Sequence, residues 1–242
     1  RRDATVPVTS LLPTAWSVRQ MIRRTLSPPA VTRGPAVYRG RAWPLPTGSP
    51  VNMTIEQADL LPEILPVTQP QLFRKDSIEA VIPVGEIYKD QIVVLREIRD
   101  SYPNRPLYFT SQSYPRALGL GKYVAMQGLL AKLFPTPIVP GTRFMEIPGY
   151  GFLDLPRSDS LWHEYTAPAS LVRHGEWVDR ASSDIPLRYV ITAALLSDVY
   201  RSRGDTAKAT GYIDTAIKMA RAARVEDVLG FSKTKPSAPG EH

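Results

Sequence analysis

The sequence predicts an α/β protein, with a mixed or mainly parallel sheet, flanking helices and a C-terminal helical region. A surface-helix pattern over residues 87–102 is followed by a proline-marked turn and the short apolar stretch Leu107–Thr110, which is typical of an α/β unit. Residues 185–224 have helical spacing on both sides of a break at 203–205. We therefore assign residues 1–156 to an α/β domain, 157–231 to a helical region and 232–242 to a flexible tail.

The first fifty residues predict a strand, a helix and a long loop. Thr5–Thr9 has the β-branched composition of a short strand, and Pro7 favours an edge position. The apolar residues of 14–26 recur at helical spacing, with arginines and Gln20 on the polar side; they are Ala15, Val18, Met21, Ile22 and Leu26. Residues 27–50 are rich in proline and glycine and are predicted to form a long loop.

The middle of the chain predicts further strands around the surface helix. Val51–Thr54 and Ile78–Val84 have strand-like apolar patterns. The segment Tyr123–Phe134 is also strand-like, which argues against a phosphate-binding loop at the glycines before it. Residues 135–156 are dominated by proline and glycine and predict turns.

The net charge of +7 lies entirely in the first fifth of the chain. Residues 1–50 contain eight arginines and one acid, Asp3, whereas residues 51–242 hold 22 basic and 22 acidic side chains. Such a polarised region attracts phosphates of nucleic acid, of anionic lipid or of a phosphorylated carrier. The alternative is a solvated arginine-rich surface with no ligand.

Several kinds of chemistry have no support in the sequence. The absence of cysteine excludes disulfides and thiolate metal sites, and the three histidines lie too far apart to predict a metal centre. A nucleophile-elbow motif is absent, and we expect no cofactor. No apolar run is long enough to span a membrane, and the start at Arg1 without methionine leads us to expect a piece of a longer protein.

Two pairs of acidic residues are close enough in sequence to be compared with the paired carboxylates of glycosidases. They are Asp154 with Asp159, and Asp198 with Asp205. Such an enzyme needs two carboxylates that flank one sugar bond, with one pKa raised by burial. Nothing in the sequence places either pair together, so we expect turn and helix-cap roles. Asp205, immediately before the second C-terminal helix, is a predicted N-cap.

The C-terminal helices have the spacing of one tetratricopeptide-like hairpin. An aromatic residue lies in the first helix, a glycine at the turn and small alanines where the helices meet; the positions are Leu196, Tyr200, Gly204, Ala209, Ile213 and Ala216. A single unit of this kind cannot bury its own apolar face. It therefore acts either as a cap docked on the preceding domain or as a groove that binds a peptide.

Several short motifs together resemble one family of membrane proteins. They are Val8–Trp16 with Arg19-Gln20, Asn104–Phe109, Gly119-Leu120 with Tyr123, Gln127–Leu129, Lys132-Leu133, Tyr189, Gly204-Asp205 and Ala209. In order and spacing they are similar to the bacterial multi-pass protein O-mannosyltransferase-like family, and the similarity covers much of the chain.

The resemblance implies a type-C glycosyltransferase that uses a polyprenyl-phosphate sugar, with its catalytic acid in a membrane part outside this sequence. This chain is then a non-catalytic, extracytoplasmic domain that positions the acceptor protein and is tethered to the membrane surface through a missing N-terminal region. Its expected contacts with lipid headgroups or the carrier phosphate are Arg19, Arg23, Arg33, Arg39, Arg41 and Trp43. A stand-alone interaction module that uses the hairpin is the alternative, and no nucleic-acid motif accompanies the charge.

Overall fold

The computed structural model describes residues 36–38, 41–43, 51–104, 106–179 and 182–229. The predicted strand at 5–9, helix at 14–26 and tail at 232–242 lie outside these residues. The chain divides into two compact units that are interleaved in sequence. The first contains Arg1–Tyr108, Ser113–Tyr123 and Pro135–Pro137, and the second contains Phe109–Gln112, Val124–Phe134 and Ile138–His242.

The long-loop prediction for residues 27–50 is wrong in part. Strands β1 (Ala36–Tyr38) and β2 (Arg41–Trp43) pair antiparallel within it. Valine, tyrosine and tryptophan favour strands, and the two-residue connection is of the length that joins hairpin strands. The predicted strand at 51–54 is also wrong, because Thr54 instead begins helix α1 (Ile55–Asp59). The Thr54 hydroxyl accepts from the Gln57 amide at 3.2 Å, and the Gln57 side chain accepts from the Thr54 amide at 3.0 Å.

A long β-hairpin dominates the described part of the first unit. Strands β3 (Ile64–Val67) and β6 (Gly85–Tyr88) form its base, and β4 (Gln71–Lys75) and β5 (Ile78–Ile82) form its tip. We call residues 64–88 the hairpin arm. Helix α2 (Lys89–Ser101) follows directly, confirming the predicted surface helix, and starts two residues later than expected because Ile87 belongs to β6.

Gly119 and Tyr123, which follow α2 in the chain, hold the hairpin arm in place. Helix α3 (Ser113–Ala117) and a short 3-10 helix (Gly121–Tyr123) precede the second unit's first long strands. The buried Tyr123 hydroxyl accepts from the Glu79 amide at 2.8 Å, so it is fixed to β5. Gly119 has a φ of +71°, and a Cβ there would lie 2.2 Å from the carbonyl oxygen of Val81. The backbone of Gly119 therefore lies directly against β5.

A five-stranded sheet, all of it in the second unit except Tyr108, has the strand order β10-β11-β8-β9-β7. Its strands are β7 (Tyr108–Phe109), β8 (Val124–Gln127), β9 (Leu130–Leu133), β10 (Phe144–Ile147) and β11 (Gly151–Asp154). β8 pairs parallel with β11, whereas β8 with β9 and β10 with β11 are antiparallel hairpins. The prediction of a mixed sheet is confirmed, but a mainly parallel one is wrong because tight turns join neighbouring strands. The prediction of turns throughout residues 135–156 is also wrong in part, because β10 and β11 lie within this range.

Four helices complete the second unit. They are α4 (Leu155–Glu164), α5 (Ala167–His174), α6 (Asp184–Ser202) and α7 (Thr206–Ala223). The last two confirm the predicted pair of long helices, with a turn at Gly204 (φ +80°). The Asp205 carboxylate accepts from the Lys208 amide at 3.0 Å, which confirms the predicted N-cap. Among the described residues, no helix is both long and apolar enough to cross a bilayer.

Candidate functional site

The structure places only two of the predicted phosphate-contacting residues. Arg19, Arg23, Arg33 and Arg39 lie outside the described residues. Arg41 and Trp43 are the first and last residues of β2, opposite Tyr38 and Ala36 in the register. Binding of lipid headgroups or carrier phosphate by this set stays a prediction.

A compact cluster of titratable side chains forms in the second unit around Asp159 of α4. Its carboxylate accepts a hydrogen bond from the Tyr212 hydroxyl of α7. The Lys208 ammonium lies 3.6 Å from one carboxylate oxygen and the His163 Nε2 lies 3.8 Å from the other. Lys208 also donates to the Tyr200 hydroxyl at 3.3 Å. We call these five residues the Asp159 cluster, and it links three helices.

The tyrosine rings of the Asp159 cluster are stacked in parallel planes. The rings of Tyr200 and Tyr212 are stacked, with centroids 5.7 Å apart and planes within 4°. The Lys208 ammonium lies over the Tyr200 ring, 4.5 Å from its centroid. Stacking and cation–π attraction therefore reinforce the hydrogen bonds between α6 and α7.

The electrostatics of the Asp159 cluster keep Asp159 ionised and Tyr212 and Lys208 protonated at neutral pH. Burial alone would raise the pKa of Asp159, but the hydroxyls of Tyr212 and Tyr200 and the charges of Lys208 and His163 together lower it below its usual range. Burial and hydrogen bonding to Asp159 raise the pKa of Tyr212, and the hydrogen bond to Tyr200 raises that of Lys208. Each of the three pKa values is therefore shifted further away from pH 7.

A general acid or base works best with a pKa near the operating pH. In the Asp159 cluster the carboxylate stays ionised and Tyr212 and Lys208 stay protonated, so none of the three is poised to exchange a proton. The arrangement can hold helices together far more readily than it can transfer protons. We therefore interpret it as a clamp between α4 and the α6–α7 hairpin.

Replacing Asp159 by asparagine should lower the free energy of unfolding at pH 7 by about 2 kcal/mol, because hydrogen bonds to a charged acceptor are lost. The folded pKa of Asp159 is depressed, so its stabilisation is present above the unfolded value of about 3.9 and disappears as the pH falls through the folded value. Urea unfolding between pH 7 and pH 2.5 should show the difference between the two proteins narrowing below about pH 4.

A matched control is Asp198→Asn, which removes an exposed carboxylate paired with Arg201 at 3.4 Å. Exposed pairs of this kind contribute about 0–1 kcal/mol. Equal effects of the two substitutions, or a difference that stays constant down to pH 2.5, would contradict the clamp.

A second set of contacts surrounds Gly128, in the two-residue turn between β8 and β9. Its amide donates to the Ser158 hydroxyl at 3.0 Å and its carbonyl accepts from the Thr192 hydroxyl at 3.1 Å. Its φ is +64°, and a Cβ would lie 2.3 Å from the Tyr165 hydroxyl oxygen. One glycine thus joins the sheet to α4, to α6 and to the residue after α4. We call this arrangement the Gly128 joint.

Aromatic side chains enclose the Gly128 joint on the helical side. Trp162, Tyr165 and Tyr189 contact one another edge to face, with ring centroids between 5.6 and 6.5 Å apart. Trp162 also meets Tyr212 of the Asp159 cluster at 5.9 Å. Aromatic contacts therefore run without a break from the Gly128 joint to the Asp159 cluster, and we call this set of rings the aromatic wall. The contacts of Trp162 and Tyr165 within it are edge to face, a geometry that packs a core.

Asp154, at the end of β11, is 1% exposed. One carboxylate oxygen accepts from the Gln127 amide at 2.9 Å and from Arg143 at 2.9 Å. The other is buried and accepts no hydrogen bond from the described residues. Asp154 and Asp159 thus have separate sets of partners. Asp154 occupies the N-cap position of α4, as expected, but its side chain makes no cap hydrogen bond.

Sequence analysis missed the role of Asp159 in the clamp, although two local signals were present. Asp159 and His163 are four residues apart in α4, and Lys208 and Tyr212 are four apart in α7, so each pair shares a helix face. No local pattern connects the two pairs, because Asp159 and Tyr212 are 53 positions apart in the sequence. Among the described residues, no group of three or more histidine, aspartate or glutamate side chains is arranged to hold a metal ion.

Comparisons of the chain with protein-family models, with curated proteins and with solved structures found no match in any of the three. The resemblance in the sequence motifs therefore stays a prediction.

Proposed function

We propose that this chain is the extracytoplasmic accessory domain of a membrane glycosyltransferase similar to the protein O-mannosyltransferases. In this proposal it positions the acceptor protein, and the reaction of the polyprenyl-phosphate sugar takes place in a membrane part outside the sequence. The observation that carries the proposal is where the motif residues lie. Gly119, Tyr123 and Gly128 make buried backbone contacts that join elements of the fold.

The contacts of two further motif residues also favour a structural role. Gln127, from the Gln127–Leu129 motif, is used to hold the buried Asp154, and Tyr189 is part of the aromatic wall. Residues that define a rigid scaffold fit a domain that presents a surface to an acceptor. The Asp159 cluster, with pKa values shifted away from neutrality, adds no proton-transfer group to it.

The tetratricopeptide-like character of the hairpin belongs to the proposal, in which the hairpin is a cap. Its apolar face is already occupied, since Leu171 of α5 lies in one buried cluster with Val190 and Ala193 of α6 and Met219 of α7. Trp162 of α4 packs against the same cluster. The alternative, a stand-alone module that binds a partner in the hairpin groove, requires an open face. A docked hairpin favours the accessory domain.

The experiment uses membranes that contain the full protein in which this chain occurs, with labelled polyprenyl-phosphate sugars as donors. Transfer to a folded acceptor protein is compared with transfer to a short serine- and threonine-rich peptide. The double variant Arg41→Gln/Trp43→Ala should raise KM at least about fivefold for the folded acceptor or the donor, because the arginine contact alone is worth roughly 1 kcal/mol. It should leave the turnover of the short peptide at saturating donor unchanged.

Arg96→Gln, an exposed arginine on α2, is the matched control and should change neither acceptor. If no labelled sugar is transferred to either acceptor, the proposal that the full protein is a glycosyltransferase is contradicted. A loss of turnover with both acceptors at saturation would place catalysis in this chain and contradict its accessory role.

A further inference from the structure

Strand β4 (Gln71–Lys75) has two residues whose backbone groups point away from the hairpin arm. In an antiparallel ladder, every second residue pair is not hydrogen-bonded, and both of its members turn their amides and carbonyls outward. The Glu79 amide of β5 is turned outward, because it donates to the Tyr123 hydroxyl at 2.8 Å. Its cross-strand partner Arg74 is therefore turned outward on the other side, and so is Leu72, two residues earlier in β4.

These outward groups of β4 form an open strand edge. Among the described residues, none makes a hydrogen bond with the amide or carbonyl of Leu72 or of Arg74. The two side chains leave the edge accessible, since Leu72 is 52% exposed and the side chain of Arg74 is 66% exposed. A row of unpaired backbone groups of this kind is a template on which another strand can pair.

The other three strands of the hairpin arm have protected edges. The edge of β5 is covered by the Tyr123 hydroxyl and by the backbone of Gly119. In β3, Pro66 has no N–H to donate. In β6, the amide of Tyr88 donates to the side chain of Gln91 at 2.9 Å. Covering elements and prolines are devices that keep sheet edges from pairing, and β4 has neither.

Charged side chains can also protect an edge, but those of β4 are neutralised within the arm. Arg74 pairs with Glu79 at 3.0 Å, and Lys75 pairs with Asp76 at 3.1 Å. Each base thus has its own acid, and a strand that approaches β4 meets no net charge from these four side chains. The edge is therefore open in its electrostatics as well as in its hydrogen bonding.

A second copy of β4 fits this edge best in one register. Outward residues pair with outward residues, so a two-fold axis that pairs most of the strand lies at Leu72, Phe73 or Arg74. An axis at Arg74 brings Arg74 opposite the partner's Arg74, which is unfavourable for like charges. An axis at Leu72 places Arg74 opposite the partner's Pro70, which lacks an N–H. An axis at Phe73 pairs Leu72 with the partner's Arg74 and satisfies every outward group of both residues.

We propose that two copies of this chain associate by antiparallel pairing of their β4 strands around a two-fold axis at Phe73. The two-stranded sheets formed by β4 and β5 in each copy then become one continuous sheet. Leu72 lies against the aliphatic part of the partner's Arg74, which covers its exposed side chain. The same surface is used by both copies, as in most dimers of identical chains. The inference concerns assembly and does not depend on the proposed glycosyltransferase function.

Disulfide formation tests this register, because the chain has no cysteine of its own. Full-length Leu72→Cys and Arg74→Cys proteins are made separately and mixed in equal amounts under mild oxidation. In the proposed dimer these two positions are opposite each other, with Cα atoms about 5.5 Å apart, which a disulfide can span. Identical positions are diagonal neighbours about 7–8 Å apart. The mixed disulfide should therefore form at least about tenfold faster than either disulfide between identical variants.

Intact mass under non-reducing conditions distinguishes the three disulfide products, because the two variants differ in mass. Equal rates for all three would indicate random collision and would overturn the proposal. A Leu72→Cys disulfide with itself that forms fastest would place the axis at Leu72 and would contradict the register. The absence of any disulfide would likewise count against pairing of β4 strands.

A proline in the edge tests the hydrogen bonds without cysteine. Leu72→Pro removes an N–H that points away from β5, and proline is tolerated at such edge positions. Sedimentation equilibrium of the full chain up to about 1 mM should show a dimer for the unchanged protein. The dissociation constant should rise at least about tenfold in Leu72→Pro, because each copy loses one intermolecular hydrogen bond.

Leu72→Thr is the matched control, since it also removes the leucine side chain but keeps the N–H. Its dissociation constant should stay within about threefold of that of the unchanged protein. Circular dichroism checks that both variants are folded. A purely monomeric unchanged protein at the highest concentration, or equal association of the two variants, would overturn the proposal.

Discussion

Replacing Gly119 by alanine is expected to lower the free energy of unfolding by about 3–5 kcal/mol, the largest single effect we predict in the first unit. The added Cβ would lie 2.2 Å from the Val81 carbonyl oxygen and 2.9 Å from its carbon. Both are backbone atoms of a paired strand, so neither can move without breaking the β4–β5 ladder. The φ of +71° adds strain for any residue with a side chain.

Gly121→Ala is the matched control two residues away. Its Cβ would meet only the Cγ of Arg116, at 3.1 Å, an atom of an exposed and flexible side chain that needs to shift by only a few tenths of an ångström. We expect a change below about 1 kcal/mol, measured by urea unfolding with circular dichroism. Two equal losses would show that β5 does not approach Gly119 as described.

Replacing Gly128 by alanine is expected to cost about 2–4 kcal/mol in the second unit. The new Cβ would lie 2.3 Å from the Tyr165 hydroxyl oxygen and 3.3 Å from a methyl carbon of Leu161. The Tyr165 ring is held by Trp162 and Tyr189, so it cannot withdraw without disturbing the aromatic wall. The positive φ makes alanine unfavourable even if the ring moves.

Gly211→Ala provides a control that should raise the free energy of unfolding instead of lowering it. Gly211 lies on the exposed side of α7, and a Cβ there would meet nothing within 4 Å. Alanine should stabilise the helix by up to about 1 kcal/mol. A second change, Gly128→Ala with Tyr165→Phe, should recover part of the loss because it removes the clashing oxygen. Full loss in the double variant would assign the cost to backbone strain alone.

The elements that the sequence predicted well depend on local pattern. Helices α6 and α7 follow from continuous helical spacing over about twenty residues each, and Gly204 and Asp205 mark the turn and the cap between them. The surface helix α2 was predicted for the same reason. Strands β10 and β11 were missed because each has four residues, and the glycines and prolines around them dominate the local composition.

The Asp159 cluster could not be predicted because its members meet only after the helices pack. Asp159, Tyr200 and Tyr212 belong to three different helices, and no spacing rule relates them. The Gly128 joint could not be predicted for the same reason, since Ser158 and Thr192 are 30 and 64 residues away in sequence from the glycine that they contact. Burial and the pKa shifts it causes are properties of the assembled unit.

The interleaving of the two units in sequence governs how the chain can be divided. Phe109–Gln112 and Val124–Phe134 belong to the second unit, while Ser113–Tyr123 and Pro135–Pro137 between and after them belong to the first. No single cut in the polypeptide separates one unit from the other. During synthesis, Gly128 precedes its partners Ser158 and Thr192 by 30 and 64 residues, so its contacts with α4 and α6 can form only after both helices have been made.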